Sequence, residues 1–339
     1  MKNIIFRVDS SNYIGTGHLM RCLVLADKLK QKDCNCIFIC KDLEGNLNKL
    51  VCDNNYILYQ FENNYNIWLN DAIETKNIIK DIGDIHYLII DNYNLEIGYE
   101  YQFKRFVNKI MVIDDLGRKH YYDILLDNNI SKNNYINKIL YKDNYKLFLG
   151  LDYLLLRDEF IVAKNKIRNR DRGIKNILIS FGGSDPFNET LKVLEGLKPL
   201  NNIDINVVVG NSNINKNIIK QVCETNNYNY YEQIDNIAEL INKADLAIGA
   251  GGVSLWERCY LGCPSIVTIL AENQRQNIEE AEKLNCVINM GWFENTKPEY
   301  YYNVVKNIDT LELEYMSNNC LKLFSNNKID EVINEIVRD

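Results

Sequence analysis

Short apolar runs alternate with segments of helical periodicity along nearly the whole chain. That alternation dictates parallel sheets, because a parallel neighbour is reached only through a crossover, and the crossover is normally a helix. Strands are expected at Asn3–Val8, Asn35–Ile39, Tyr87–Ile90, Lys109–Ile113 and Ile124–Leu126, with a helix over His18–Gln31. After the charged stretch Lys164–Lys175 a second set begins, at Asn176–Phe181, Asp204–Val209, Leu246–Gly249, Ser265–Thr268 and Cys286–Asn289. Helical patterns lie between them at Asn188–Leu197, Ile214–Asn226, Ile234–Ala244, Ser254–Leu261 and Asn273–Leu284. A chain of 339 residues exceeds what one core supports, so the expectation is an α/β protein of two Rossmann-like domains facing an interdomain cleft. The domains are placed at 1–155 and 156–339, joined within Gly150–Asp171. The final segment Glu314–Val337 reads as helical and able to pack back on the first domain.

Composition narrows the partners. The 39 Lys and Arg against 46 Asp and Glu give a net charge of −7, which argues against nucleic acid and against stable association with an anionic membrane. A small anionic ligand remains open, since backbone amides at helix N-termini bind phosphate without net positive charge. No apolar run reaches the length of a membrane span and the first residues turn polar quickly, so the chain is expected to be cytoplasmic. The ten cysteines contain no CxxC pair; Cys34, Cys36 and Cys40 fall on one face of a strand and read as small packing residues in a reducing compartment. His18, His86 and His120 show no zinc spacing, and no metal or other cofactor is expected. The asparagine pairs Asn63-Asn64, Asn133-Asn134 and Asn226-Asn227 carry no functional weight.

Two glycine-rich turns carry the chemistry. The first strand runs into Ser11-Asn12-Tyr13-Ile14-Gly15-Thr16-Gly17-His18 and then a helix. Gly15 and Gly17 let backbone N–H groups approach an anion, while they are also what a tight strand-to-helix turn needs on its own. His18 adds an imidazole at the carboxyl edge of a sheet, where open α/β folds bind ligands, and imidazole suits proton transfer near neutral pH. Arg21, one turn on, shares its face or is an ordinary surface arginine.

The second turn is Gly249-Ala250-Gly251-Gly252-Val253-Ser254-Leu255-Trp256-Glu257. Its spacing admits a capping box closed by Ser254 and Glu257. It also admits a diphosphate held at the helix N-terminus, with Glu257 accepting from a ribose diol. Gln276 and Asn277, on the following helix, carry amides suited to hydroxyl or phosphate. A third turn, Phe181-Gly182-Gly183-Ser184-Asp185-Pro186, is expected to be structural, with Asp185 as N-cap and Pro186 in the first helical position. Asp91, Asp114 and Asp115 sit at strand ends, where carboxylates commonly cap turns; Asp114-Asp115 lacks a third ligand for a metal.

Together these motifs resemble the GT-B superfamily and, within it, the PseG family of UDP-sugar hydrolases of pseudaminic acid biosynthesis. The resemblance rests on Phe6-Arg7-x-Asp9-Ser10-Ser11, Ile14-Gly15-x-Gly17-His18 and Arg21; on Leu88-Ile89-Ile90-Asp91-x-Tyr93; on Asp114-Asp115 with Asp123-Ile124-Leu125-Leu126; and on Gly150-x-x-Tyr153-x-Leu155-x-Arg157-x-Glu159-Phe160. The glycine turn with Glu257 is shared more widely, including with the lipid II N-acetylglucosaminyltransferases. The resemblance implies a GT-B fold and metal-independent hydrolysis of UDP-2,4-diacetamido-2,4,6-trideoxy-β-L-altropyranose, with inversion, to UDP and the free sugar. It implies His18 as the group that activates or orients water, Tyr93 and Asp9 as nearby sugar or water contacts, and Gly15, Gly17 and Arg21 on the substrate side. It further implies Gly251, Gly252 and Ser254 on the diphosphate, Glu257 on the ribose, and Gln276 and Asn277 on the sugar or phosphate.

Two other functions use the same residues. A GT-B glycosyltransferase would pass the sugar to an acceptor, and a non-catalytic nucleotide-sugar binding protein would only hold it. A monomer acting on a small UDP-sugar is the expectation.

Overall fold

The computed structural model describes residues 1–62, 67–130, 144–234, 236–324 and 327–338; Asn63-Asn64 and Asn133-Asn134 lie outside them. The chain divides into two compact units, Met1–Leu155 with Asn326–Asp339, and Leu156–Ser325. Among the described residues no helix is long and apolar enough to cross a membrane.

In the first unit, the described residues form seven parallel strands: β1 (Lys2–Val8), β2 (Cys34–Asp42), β3 (Ile57–Glu62), β4 (Tyr87–Asp91), β5 (Lys109–Ile113), β6 (Ile124–Asp127) and β7 (Lys146–Leu149), in the order 3-2-1-4-5-6-7. Strand side chains alternate between faces. Accordingly Ile4, Phe6 and Val8 of β1 enter one core, with helix Gly17–Lys30 and Val332, Ile333 and Ile336 of the C-terminal helix. Ile5 enters the other, with Ala72 and Ile79 of helix Trp68–Ile82. Burial on both faces explains why these strands read as continuous apolar runs. Cys34, Cys36 and Cys40 share the first core with Phe38, and burial pushes the Cys36 and Cys40 thiols up to about 12.

In the second unit, the described residues form six parallel strands: β8 (Asn176–Ser180), β9 (Asp204–Val209), β10 (Asn229–Glu232), β11 (Leu246–Ala250), β12 (Ser265–Ile269) and β13 (Val287–Trp292), in the order 10-9-8-11-12-13. Ile177, Ile179, Val207, Ile248 and Ile266 build its main core. Each sheet therefore reverses strand order once, between β1 and β4 and between β8 and β11. At such a switch point the loops leaving the two strands diverge and open a crevice at the carboxyl ends.

Three local expectations are corrected. The segment Glu314–Val337 is not one helix: Thr310–Lys322 belongs to the second unit, and Ile329–Val337 packs in the first, where Val337 and Ile336 carbonyls meet Lys2 Nζ and His86 Nε2. Ser254 and Glu257 form no capping box, because helix Val253–Tyr260 begins after Gly252 and Ser254 is already its second residue. Asp185 does bond the first amides of the next helix, Glu189 and Thr190, at 3.0 and 2.9 Å. That helix starts at Glu189, however, so Pro186 lies in the preceding turn rather than at its first position.

Candidate active site

The first unit's switch point holds a dense polar cluster. After β1 the chain folds over Ser11, whose Oγ accepts from the N–H groups of Tyr13 and Ile14 while its carbonyl accepts from Gly15. Gly15 has φ of +80°, a region that an L side chain enters only under strain. Gly17 opens the helix, which places His18 and Arg21 one turn apart at the carboxyl edge of the sheet. Both are buried.

Asp91, the last residue of β4, receives them. Its Oδ1 lies 2.6 Å from His18 Nδ1 and 2.6 Å from Arg21 Nη2, and its Oδ2 lies 2.5 Å from Arg21 Nε. Arg21 Nη1 reaches Asp115 at 3.1 Å. Burial alone would raise Asp91, but the Arg21 charge and the hydrogen bonds from Arg21 and His18 outweigh it and hold the carboxyl well below its usual range. An ionised carboxylate can only accept, so Nδ1 of His18 carries a hydrogen, and in the neutral form of the ring the lone pair falls on Nε2. The 3.1 Å approach of Arg21 Nη2 to Nδ1 is then a contact between two donors that share Asp91. The ring of Tyr93 meets the imidazole edge-on, with centroids 4.4 Å apart and planes at 87°.

Asp9 lies in the same region with a different surrounding. Oδ1 accepts from Arg7 Nη1 (2.6 Å) and the Lys41 N–H (2.8 Å), and Oδ2 accepts from Arg7 Nη2 (2.9 Å) and Asn92 Nδ2 (2.7 Å). Four donors fill the four lone-pair directions of a carboxylate. Arg7 is itself fully buried and also pairs with Asp71, whose carboxyl is brought down to about 2 by Arg7 and Lys41 against the upward effect of burial.

In the second unit the glycine turn leaves β11 beside β8. A Cβ on Gly249 would stand 2.2 Å from Ser180 O, so glycine is what lets these two strands approach. A Cβ on Gly251 would stand 2.2 Å from Ile278 Cδ1, whereas one on Gly252 would meet nothing within 4 Å. Arg258 braces the turn from behind, donating to Ala250 O (2.7 Å), Ser265 Oγ (3.1 Å) and Ser254 Oγ (3.2 Å). Glu257, 13% exposed, lies 3.3 Å from Arg157 Nη2; burial pushes its carboxyl up, and Arg157 partly offsets this. Arg157 also pairs with Glu159 at 2.5 Å.

Helix Glu272–Lys283 turns Gln274 and Ile278 toward Gly251. Asn277 shares that face by helical spacing, but Gln276 lies on the exposed side. The structure brings His18, Arg21 and Tyr93 together, and it places Gly251, Gly252 and Ser254 on one turn with the Asn277 face of the following helix beside Gly251. The sequence reading passed over Asp91, read only as a strand-end carboxylate, and Arg118 and His120, described below. The available signal was the spacing Asp114-x-x-x-Arg118-x-His120 immediately after a buried strand.

Residues 177–333 match the glycosyltransferase family 28 C-terminal domain. An uncharacterized protein of Methanocaldococcus jannaschii, MJ1062, is 32% identical over 279 residues, covering 79% of this chain and 56% of that protein, so the match spans little more than half of the archaeal relative. The UDP-2,4-diacetamido-2,4,6-trideoxy-β-L-altropyranose hydrolase of Campylobacter jejuni is 30% identical over 248 residues, 72% of this chain and 83% of that enzyme. The chain belongs to this hydrolase family. Among solved structures, Acinetobacter baumannii MurG superposes with a TM-score of 0.68 at 14% identity, covering 99% of both chains. The fold of this family member is accordingly GT-B, with two Rossmann-like parallel sheets, and the family is one of UDP-sugar-processing enzymes.

Proposed function

We propose that the protein hydrolyses UDP-2,4-diacetamido-2,4,6-trideoxy-β-L-altropyranose to UDP and free 2,4-diacetamido-2,4,6-trideoxy-L-altrose, with inversion at the anomeric carbon. The observation that carries the reading is the His18–Asp91–Arg21 arrangement, which leaves an imidazole nitrogen lone pair oriented by a buried carboxylate. In this reading water attacks C1 as His18 Nε2 takes its proton; the bond from C1 to the diphosphate oxygen breaks, and its electron pair leaves with UDP. A positioned general base contributes about 10²- to 10⁴-fold in rate. UDP is already a good leaving group, so no acid on the sugar side is needed, and no metal takes part; a chelator should leave turnover unchanged.

The second unit's turn is assigned the nucleotide. The Gly251 and Gly252 amides and Ser254 take the diphosphate at the start of helix Val253–Tyr260, where the helix dipole favours negative charge. Glu257 takes the ribose diol and Asn277 takes sugar or phosphate, while Gln276, on the exposed side of its helix, is left out of the ligand contacts. Tyr93 borders the reacting sugar. Asp9 is assigned support of Asn92 rather than direct substrate contact, since its lone pairs are occupied within the protein.

The match of residues 177–333 to a glycosyltransferase domain favours a second reading, transfer of the sugar to an acceptor from the same nucleotide site. Incubation with the UDP-sugar alone separates them. Release of UDP and reducing sugar without any acceptor supports hydrolysis; intact substrate under those conditions supports transfer. A non-catalytic binder would bind the UDP-sugar and return it unchanged with every acceptor tried.

A further inference from the structure

The carbonyl groups of the segment that follows β4 converge on one side chain. Arg118, in the connection between β5 and β6, donates from Nη1 to Tyr93 O at 2.6 Å and Leu95 O at 3.4 Å, and from Nη2 to Asn92 O at 3.3 Å. Its guanidinium carbon stands 5.7 Å from the centre of the Tyr93 ring. Arg118 is in turn fixed by Asp114, whose Oδ1 accepts from its Nε and whose Oδ2 accepts from its backbone N–H, both at 2.9 Å. Behind Asp114 lies buried His120, with Nε2 3.4 Å from Asp114 Oδ2 and Nδ1 2.5 Å from Glu100 Oε1. Glu100 also accepts from the Tyr121 N–H at 2.5 Å. The result is a chain of alternating charge, Glu100–His120–Asp114–Arg118, that ends on the backbone carrying Tyr93.

Several charges taken from water in one place are expensive, and apolar packing would close the same loop at lower cost. What the charged chain adds is geometry. A planar guanidinium with directional donors fixes three carbonyls, those of Asn92, Tyr93 and Leu95, which a water-filled or apolar contact would leave loose. The two residues it grips first have specific tasks: the Asn92 side chain donates to Asp9, and the Tyr93 ring edge meets the His18 imidazole.

We infer that Arg118 is a positioning residue of the His18 site, holding the segment Asn92–Leu95 so that the Tyr93 ring is set against the imidazole. The inference rests on the hydrolase reading for its kinetic consequence, but not for its structural one. Misplacing a catalytic contact by about 1 Å can cost on the order of 100-fold in rate. Loss of Arg118 should therefore lower kcat about 10- to 100-fold while KM stays within about threefold, the pattern of a lost transition-state contribution.

The test combines kinetics with the imidazole signals. The three histidines give few ring resonances, assignable by replacing His86 and His120 with Gln. In Arg118→Ala the His18 ring signals should move toward their positions in Tyr93→Leu, and Arg118→Lys should restore part of both signal position and kcat. The double variant R118A/Y93L should be no slower than Y93L, because a residue acting through Tyr93 has nothing further to lose. If R118A does not fold, Arg118→Gln, which keeps a donor for the carbonyls but not the fork, takes its place with the same expected directions. His18 signals that coincide with wild type, or kinetic losses that multiply in the double variant, would overturn the inference. Should the wild-type protein not consume the UDP-sugar at all, the hydrolase reading fails, and the signal positions alone then decide the positioning claim.

Discussion

Asp91 bonds His18 Nδ1 through the same carboxylate that Arg21 grips with two nitrogens, and this one relationship sets which imidazole nitrogen keeps its lone pair. Arg21 holds Asp91 well below the usual carboxylate range, and the ionised Asp91 favours the His18 tautomer with its hydrogen on Nδ1. Replacing the carboxylate by an amide of the same shape removes that preference. Asp91→Asn should fold, since the shape is kept, yet kcat should fall on the order of 10³- to 10⁴-fold with KM little changed. Steady-state kinetics with the UDP-sugar check this; a loss confined to KM would mean that Asp91 serves binding.

Part of this arrangement was legible in the residues alone. Strands buried on both faces announced themselves as apolar runs, and β5 and β9 have the expected bounds. The strands that escaped reading, β3, β7 and β10, all lie at sheet edges, where exposed faces take residues such as Gln60, Lys146 and Asn229 and the apolar signal is lost. His18 was legible because it follows a glycine turn. Asp91 was not, because its role depends on β4 being placed beside β1. The spacing of Asp114, Arg118 and His120 was visible, but the reach of Arg118 to the carbonyls of Asn92 and Tyr93, and of His120 to Glu100, depends on contacts between elements.

The two central glycines of the second unit should respond differently to the same substitution. Gly251→Ala drives a methyl toward Ile278, so the helix packed there must shift and the protein should lose about 1–3 kcal/mol of stability. Gly252→Ala finds open space at φ −75°, so stability should hold to within about 0.5 kcal/mol. If the Gly252 amide approaches the diphosphate, UDP affinity in G252A should still fall about tenfold or more. Urea melts and calorimetric titration with UDP report the two quantities separately; unchanged UDP affinity in G252A would remove this turn from the nucleotide site.

His120 makes stability depend on pH. Burial alone would lower its pKa, but the nearby Asp114 carboxylate and the hydrogen bond to Glu100 outweigh burial and raise the imidazole to about 9. Asp114 is held down by His120 and Arg118 against burial, while burial pushes Glu100 up despite His120. A raised folded pKa means the folded state binds the proton more tightly. Its contribution is therefore fully present below the unfolded value near pH 6.5 and is lost as pH rises through about 9. Unfolding free energy should drop by roughly 1–3 kcal/mol between pH 6.5 and 9.5, and His120→Gln should flatten that decline. An unchanged pH slope in H120Q would show that another group titrates there.

Isotopic labelling of the attacking water reaches the central claim, that His18 directs water at the anomeric carbon. With the UDP-sugar in ¹⁸O-water, time-resolved NMR and mass spectrometry should find the label on C1 of the free sugar, none in UDP, and the inverted anomer first. The same incubation with His18→Leu should release nothing beyond background while UDP still binds. Label in the phosphate of UDP, a retained first anomer, or full turnover by H18L would contradict the account.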